Sequence, residues 1–378
     1  VVATYSLLLA LSLGIAFQGV SDDSVLIGME GPASSFSVDE ENLGMRLVIL
    51  RVNDRGGVHG RKLVEKSYPR GSDPAGDPLK NARRLVEEDG VFLLFNFGGP
   101  SSVPLGAYAM EKRVPYLFPH TALLTLDGAR YVFTSFPRFE GETRVVLRHL
   151  SENLGVKRVG VIHDPNAYGS YFRDRARDLA SELSYRFVGS REISSREPAS
   201  VAKEVSELRA LEPDAMILAL YPAQARKVME AKASLGWKEV RMVATGPLTD
   251  EQYLDVGGGA SDGTLGFCLY PDPESAKGAG LDEYRDLMKK YFPEKRFNRY
   301  SLYGFVFGKL VVEGLERAGR DLTREKFVDA MESIRDWDSG GILPKVSFGK
   351  TDHHAQTAGF LCELANGKFE PRTDWIEP

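Results

Sequence analysis

The chain has 378 residues and a net charge of −5, with two cysteines and six histidines. That length exceeds what one hydrophobic core usually serves and predicts two domains. The acidic balance offers no electrostatic footprint for DNA or RNA, the cysteines are too few for a disulfide scaffold, and no charge run marks a disordered tail.

Ser6 to Phe17, SLLLALSLGIAF, is uncharged and too short to span a bilayer comfortably, and it stands where a secretory apolar region belongs. Residues 1–23 are therefore read as a signal or export segment, with cleavage after Ala16 or Gly19 and a retained anchor as the alternative. Without a Cys at the cleavage site, a lipoprotein is disfavoured. Val25 to Ile27 then form a short apolar strand, and Gly31-Pro32 breaks the chain at its carboxyl end. A helix follows, with Leu43, Leu47 and Leu50 at i, i+4 and i+7 and the acids Asp39 to Glu41 near its positive end. Gly56-Gly57 stops it, and Leu63 to Lys66 return as a strand, completing a βαβ unit whose ligand side is the loop from Gly31 to Phe36.

Strands are predicted at 25–28, 62–67, 91–95, 114–118, 131–134, 158–162, 186–189, 214–219 and 241–244, with helical patterns between most of them. Leu79, Ala82 and Val86 fall on one stripe of the helix 77–89, as do Val205 and Leu208 on the helix 202–211. Alternation of this kind implies parallel sheets covered on both faces. After Gly263 come a strand at 265–269, helices at 281–291 and 300–318, a helix N-capped by Thr323, and short closing strands.

Several segments resemble the type 1 periplasmic binding proteins, the leucine/isoleucine/valine-binding family that serves ABC importers. GP follows the first strand, NDRGGVHGRKL follows the first helix, and Ser72-Asp73-Pro74 follows the second strand. VFLLFNFGGPSS, VPYLFPHTA, VGVIHDPNAYGSYF, PDAMILALYPAQARKVM and GFLCELANGKF continue the likeness in the same order, from about Val25 to Pro371. The resemblance implies an α/β fold of two doubly wound parallel-sheet lobes joined by a three-crossing hinge. Lobe one takes 24–137 plus 269–357 and lobe two takes 139–266 plus 360–378.

Taken alone, Cys268 and Cys362 read as two buried small hydrophobes. In the family's chain course both fall beside interlobe crossings, which admits a disulfide in an oxidising periplasm. No HExxH, CxxC or GxSxG motif occurs, and His353-His354 sit in a Gly/Asp/Thr-rich stretch that reads as a solvated turn. Gly257 to Gly259 and FGGP at 97–100 lack phosphate-loop spacing. No catalytic constellation, metal site or cofactor is expected.

Small molecules bind at the strand-end loops of an open α/β sheet. The turn Gly98-Gly99-Pro100-Ser101-Ser102 precedes a helix near Val103 and offers amides and hydroxyls to a carboxylate, the alternative being an N-cap by Ser101 or Ser102. The family's carboxylate-binding serine matches Gly99, so Ser101, Ser102 or backbone groups would substitute. The family match makes the loop at His120, Thr121 and Ala122 a contact for the ligand's charged end, with a structural His120 as the alternative. It makes Phe36 a cover for the side-chain pocket, against a small loop cluster. It also assigns Tyr168 and Tyr221 to the ligand from lobe two; without it, each reads as a surface loop tyrosine. Amino-acid binders of the family carry a glutamate for the ammonium where this chain has Gly246. That departure selects against standard amino acids, and no tight leucine binding is expected, unless another acid compensates. Glu30 is the candidate, against a solvated or helix-paired Glu30. Arg138 reads as a hinge salt bridge or as a further anion contact.

The resulting expectation is a periplasmic or otherwise extracytoplasmic, monomeric solute receptor. It passes a small amphipathic carboxylate or amino-acid-like ligand to a membrane ABC permease, without performing chemistry. A ligand-sensing module coupled to a membrane receptor is the alternative.

Overall fold

The computed structural model describes residues 18–31, 36–71, 76–98, 101–121, 128–194, 201–250 and 261–377. Two compact units divide the chain, one running to Phe136 and resuming over Ala276–Gln356, the other comprising Pro137–Ser275 and the segment from Thr357. The chain therefore passes between units at 136–137, 275–276 and 356–357, and residues 269–275 go with the second unit.

The first unit opens with β1 (Ser24–Glu30), α1 (Phe36–Asp54), β2 (Lys62–Tyr68), α2 (Gly76–Glu87), β3 (Leu93–Phe95), α3 (Ser102–Lys112), β4 (Tyr116–Leu117) and β5 (Val132–Phe133). Its sheet has the order β2-β1-β3-β4-β5 with every pair parallel. Val25, Ile27 and Met29 of β1 and all of β3 are buried, as expected of strands covered on both faces. Strand β4 is shorter than the predicted 114–118 because Phe118 takes a left-handed φ of 53°, which turns the chain out of the sheet. The stripe of α2 is rotated by about one position, with Pro78, Ala82 and Leu85 buried and Leu79 and Val86 at its margin.

Three later helices complete this unit: α8 (Ala279–Tyr291), α9 (Arg299–Ala318) and α10 (Arg324–Glu332). Asn298 caps α9 through Oδ1, which accepts from Ser301 N at 2.8 Å, and Thr323 caps α10 by accepting from Lys326 N at 3.2 Å. Helices α1 and α9 pack against each other, backbone to backbone. A Cβ on Gly304 would lie 1.7 Å from Glu41 O, and one on Gly44 would lie 2.1 Å from Ser301 O. Only glycine fits at that crossing. His353 is not in a solvated turn: it is buried, stacks on Phe133 at 4.0 Å between ring centroids, and has Nδ1 3.0 Å from Val132 O. The neighbouring backbone explains this, since Thr134 N donates to His353 O and Ala355 N donates to Thr134 O, docking the segment on the edge strand β5.

The second unit contains α4 (Phe139–Arg148), β6 (Arg158–His163), α5 (Ala167–Asp178), β7 (Arg186–Glu192), α6 (Val201–Arg209), β8 (Ala215–Ala219), α7 (Pro222–Ser234), β9 (Arg241–Ala244), β10 (Leu265–Cys268), β11 (Phe360–Ala365) and β12 (Lys368–Pro371). Helix α4 runs on as a π-helical turn over His149–Asn153. The sheet order is β12-β11-β10-β9-β8-β6-β7, parallel from β7 to β10 and antiparallel for β10-β11-β12. Cys268 of β10 and Cys362 of β11 form a disulfide, Cα to Cα 5.9 Å, with both residues wholly buried in the core beside Leu364 and Phe369. Among the described residues no helix is long and apolar enough to cross a membrane.

Candidate ligand-binding site

In each sheet the strand order reverses once, between β1 and β3 in the first unit and between β6 and β8 in the second. Crevices at the carboxyl ends of such strand pairs are where open α/β sheets take ligands.

In the first unit that position is held by Glu30 and the turn from Asn96 to Gly98. Glu30 is the last residue of β1 and is wholly buried. It is neither solvated nor paired with a helix end alone: Oε1 lies 3.1 Å from Arg70 Nη1, and Oε2 accepts from Gly98 N at 3.3 Å. Asn42 of α1 donates to Glu30 O at 2.6 Å and ties β1 to its helix. The left-handed φ of 53° at Asn96 ends β3 and swings the chain into the turn. Gly98 lies against His120, whose Cβ would be 2.9 Å from an added side chain.

Ser101 and Ser102 are both fully buried, and α3 starts at Ser102. The Ser101 hydroxyl does not cap the helix; it donates to Gly98 O at 2.8 Å and closes the turn on itself. Ser102 hydrogen-bonds the Tyr116 phenol, and burial raises that phenol well above its usual range. His120 Nδ1 is 2.6 Å from Glu41 Oε1 of α1, and the ring packs edge-on to Phe136 at 5.0 Å and beside Tyr300 at 6.1 Å. Phe36, half exposed at the start of α1, packs edge-on to the same Tyr300 at 6.0 Å. Phe36 and His120 therefore share one aromatic cluster, and Thr121 follows it with its N–H on Pro119 O. Gly99, Pro100 and Ala122 lie outside the described residues.

In the second unit the strand ends bring Tyr168, Tyr221 and Gly246 together. Asn166 caps α5 by accepting from Gly169 N at 3.0 Å, and this sets Tyr168 in the first turn of the helix. The Tyr168 phenol meets Thr245 Oγ1 at 2.5 Å, and that hydroxyl also bonds Leu218 O at 2.8 Å. Tyr221 stands at the N-cap of α7 with its ring 5.6 Å from that of Tyr168, and Asn166 Nδ2 donates to its phenol at 3.1 Å. Burial raises both phenols above the usual tyrosine range, so both keep their protons at neutral pH. Gln224 braces the loop by accepting from Tyr221 N and donating to Asp164 Oδ2 and Ile193 O, each at 2.6 Å.

Gly246 N–H is not bare. It donates at 3.0 Å to Glu142 Oε1, a carboxyl group on the first turn of α4 that is only 6% exposed. Burial pushes Glu142 up to about 8, partly offset by this hydrogen bond. Glu142, Thr245, Asn166 and Gln224 are the residues that reading the sequence missed. For Glu142 a signal existed, since it stands one turn before Val146 on the inward stripe of α4. Arg138 occupies the N-cap of α4, where its carbonyl accepts from Gly141 N at 3.0 Å. Among the described residues no group of three or more His, Cys, Asp or Glu is placed to hold a metal ion.

A family model described as periplasmic binding protein matches residues 24–368. A curated relative, the Leu/Ile/Val-binding protein homolog 3 of Brucella melitensis, is 25% identical and aligns over 83% of this chain and 84% of its own. A branched-chain amino acid ABC transporter protein from Thermus thermophilus, solved with bound valine, superposes with a TM-score of 0.82 at 16% identity, covering 95% of this chain and 98% of that one. A fatty acid ABC transporter substrate-binding protein from Thermomonospora curvata gives a TM-score of 0.80 at 20% identity, with coverage of 95% and 94%.

Proposed function

The chain belongs to the type 1 periplasmic binding proteins, the class of the leucine/isoleucine/valine-binding proteins, and from that premise we propose that it is the extracytoplasmic receptor of an ABC importer, delivering a small amphipathic carboxylate or amino-acid-like solute to a membrane permease. The observation that carries this reading is the meeting of Tyr168, Tyr221 and Thr245 at the carboxyl ends of β6, β8 and β9. Two phenols offer apolar faces with hydroxyls at their edges, which suits a small organic solute. The first unit contributes the Gly98–Ser102 turn and Thr121, with Phe36 and His120 as the aromatic wall, and Arg138, at the start of the second unit, is an anion contact.

In this proposal the two units are the lobes of a clamshell, and ligand favours a hinge-closed form over an open one. A ligand shifts that population by its difference in affinity for the two states, and the permease reads the result. The protein acts as a monomer after cleavage of the export segment at Ala16 or Gly19.

A thermal-shift screen against amino acids, aromatic acids, short-chain acids and fatty acids tests the reading. A solute that binds only the native state at a hundred times its Kd stabilises by about 2.7 kcal/mol. The expected result is a clear rise in Tm with one of these classes; silence across all four sinks the proposal.

Tyr221→Ala and Tyr168→Phe separate packing from hydrogen bonding at the same site. Tyr221 is 42% exposed, so Tyr221→Ala should change stability little while weakening the winning solute at least tenfold, or about 1.4 kcal/mol. Unaltered Kd in both variants, measured by calorimetry, would remove these tyrosines from the site.

A further inference from the structure

The loops that follow β6, β7 and β8 are joined by a closed ring of hydrogen bonds attached at Asp164. Strand β6 lies between β7 and β8, and Asp164, Ile193 and Tyr221 come just after the last residues of these strands, His163, Glu192 and Ala219. Asp164 Oδ1 accepts from Asn166 N at 3.1 Å, and Oδ2 accepts from Gln224 Nε2 at 2.6 Å. Gln224 Nε2 also donates to Ile193 O at 2.6 Å, while Gln224 Oε1 accepts from Tyr221 N at 3.0 Å. Asn166 Nδ2 donates to the Tyr221 phenol at 3.1 Å. The path therefore runs from Asp164 through Gln224 to the backbone of Tyr221, and from the phenol of Tyr221 through Asn166 back to Asp164.

The polarity of the ring admits few residue types. Gln224 turns its one acceptor to an N–H and its amide hydrogens to two acceptors, which also fixes the orientation of the amide. A glutamate there would reverse two of those three contacts, and a methionine would keep the volume and lose all three. Asp164, an acceptor at both oxygens, faces two donors; an asparagine would set an N–H against an N–H. Both residues are nearly closed off, Asp164 at 6% and Gln224 at 4% exposure.

What they hold is open. Tyr221 is among the exposed large side chains, with its ring beside that of Tyr168 at 5.6 Å. A side chain so open adds little to the core, and unrestrained it would sample several rotamers. Restraint of its backbone and its phenol by a buried polar ring serves what the tyrosine meets, not the stability of the sheet. A group already in its binding geometry saves the ordering cost that association otherwise meets.

We propose that Asp164 and Gln224 are the positioning residues of the binding site in the second unit: from beneath the surface they fix the Tyr221 ring ahead of the solute. The inference rests on the receptor reading and adds to it two residues that set affinity through another side chain.

The test is a double-mutant cycle for binding, joined to a fluorine spectrum of the ligand-free protein. Calorimetry with leucine, 3-phenylpropionate, butyrate and decanoate finds a solute for wild type. That solute is then titrated into Gln224→Met, Asp164→Asn and Tyr221→Ala, and into each of the first two combined with Tyr221→Ala. Gln224→Met and Asp164→Asn should each weaken binding about three- to tenfold, the range expected when one side chain must be ordered on association. In the Tyr221→Ala background the same changes should move Kd by less than about twofold, because the ring they position is gone. Both single variants also lose some Tm, since a buried polar group is left without its partner, and a merely structural role predicts that loss alone.

In protein labelled with 3-fluorotyrosine, the Tyr221 line is assigned by its absence from Tyr221→Phe. It should be resolved in wild type and move toward the position of free fluorotyrosine in Gln224→Met and Asp164→Asn. Where Gln224→Met does not fold, Asp164→Asn carries both measurements. Unchanged Kd in the single variants, a loss that persists in full in the Tyr221→Ala background, or a Tyr221 line that stays in place overturns the inference and leaves the receptor reading standing. No binding of any of the four solutes by wild type overturns both.

Discussion

Replacing Cys268 and Cys362 by alanine together is expected to lower the stability of the second unit by about 4 kcal/mol. The bridge closes a loop of 94 residues, and cross-links of that span restrict the unfolded chain by roughly 4–5 kcal/mol in the chain-entropy account. Both sulfurs are buried among Leu364, Phe369 and their neighbours, so the substitution also removes some packing. For a unit of this size the loss corresponds to a fall in Tm of roughly 10 °C. Burial has a second effect: a reductant reaches the bond only when the sheet opens, so native protein should resist dithiothreitol at 25 °C and become sensitive in moderate urea. Urea unfolding of the double variant, and of wild type with and without reductant, measures both. A midpoint unmoved by loss of the bridge would refute the assignment of large stabilisation to it.

The second large effect is expected at Arg70. Its guanidinium is the cation beside Glu30, a carboxylate with no exposed surface at the switch point of the first sheet. Breaking a buried pair by removing one partner typically costs 3–5 kcal/mol, so Arg70→Met should cost about 3 kcal/mol, near the lower end because Gly98 N still donates to Glu30. Glu30→Gln combined with Arg70→Met should recover most of the loss, since the stranded charge is then gone. Denaturant unfolding of the two single variants and the double variant completes the cycle. Additive losses would show that the residues are not coupled, and a stable Arg70→Met would show that Glu30 is held by other means.

The alternation of apolar strands with helical patterns was enough to read two parallel sheets, because buried parallel strands announce themselves as short continuous apolar runs such as VFLLF and AMILA. What failed at β4 and His353 failed for a tertiary reason. Phe118 adopts a left-handed turn that its residue type disfavours, and the segment around His353 looks solvated locally yet is docked on β5 by backbone hydrogen bonds. The two cysteines left both fates open until the antiparallel pairing of β10 with β11 set them on facing strands.

The site was legible unevenly. Tyr168 and Tyr221 are unremarkable loop tyrosines in composition and became candidates through the resemblance, whereas their ring contact, with Thr245 on one phenol and Asn166 on the other, is a property of adjacent strand ends. The reading at Gly246 weighed that residue alone and was silent about its neighbour. Glu142 precedes it by 104 positions, and nothing short of the folded sheet reveals that the two meet.

The glycine crossing of α1 with α9 also fixes an order of events during synthesis. The first sheet and α1 emerge early, with Gly44, Met45 and Val48 facing a partner that is not made until residues 137–275 of the second unit have been built. Long-range closures of this kind are slow and leave sticky intermediates. A chain of this design can therefore complete its first core only when its later helices arrive.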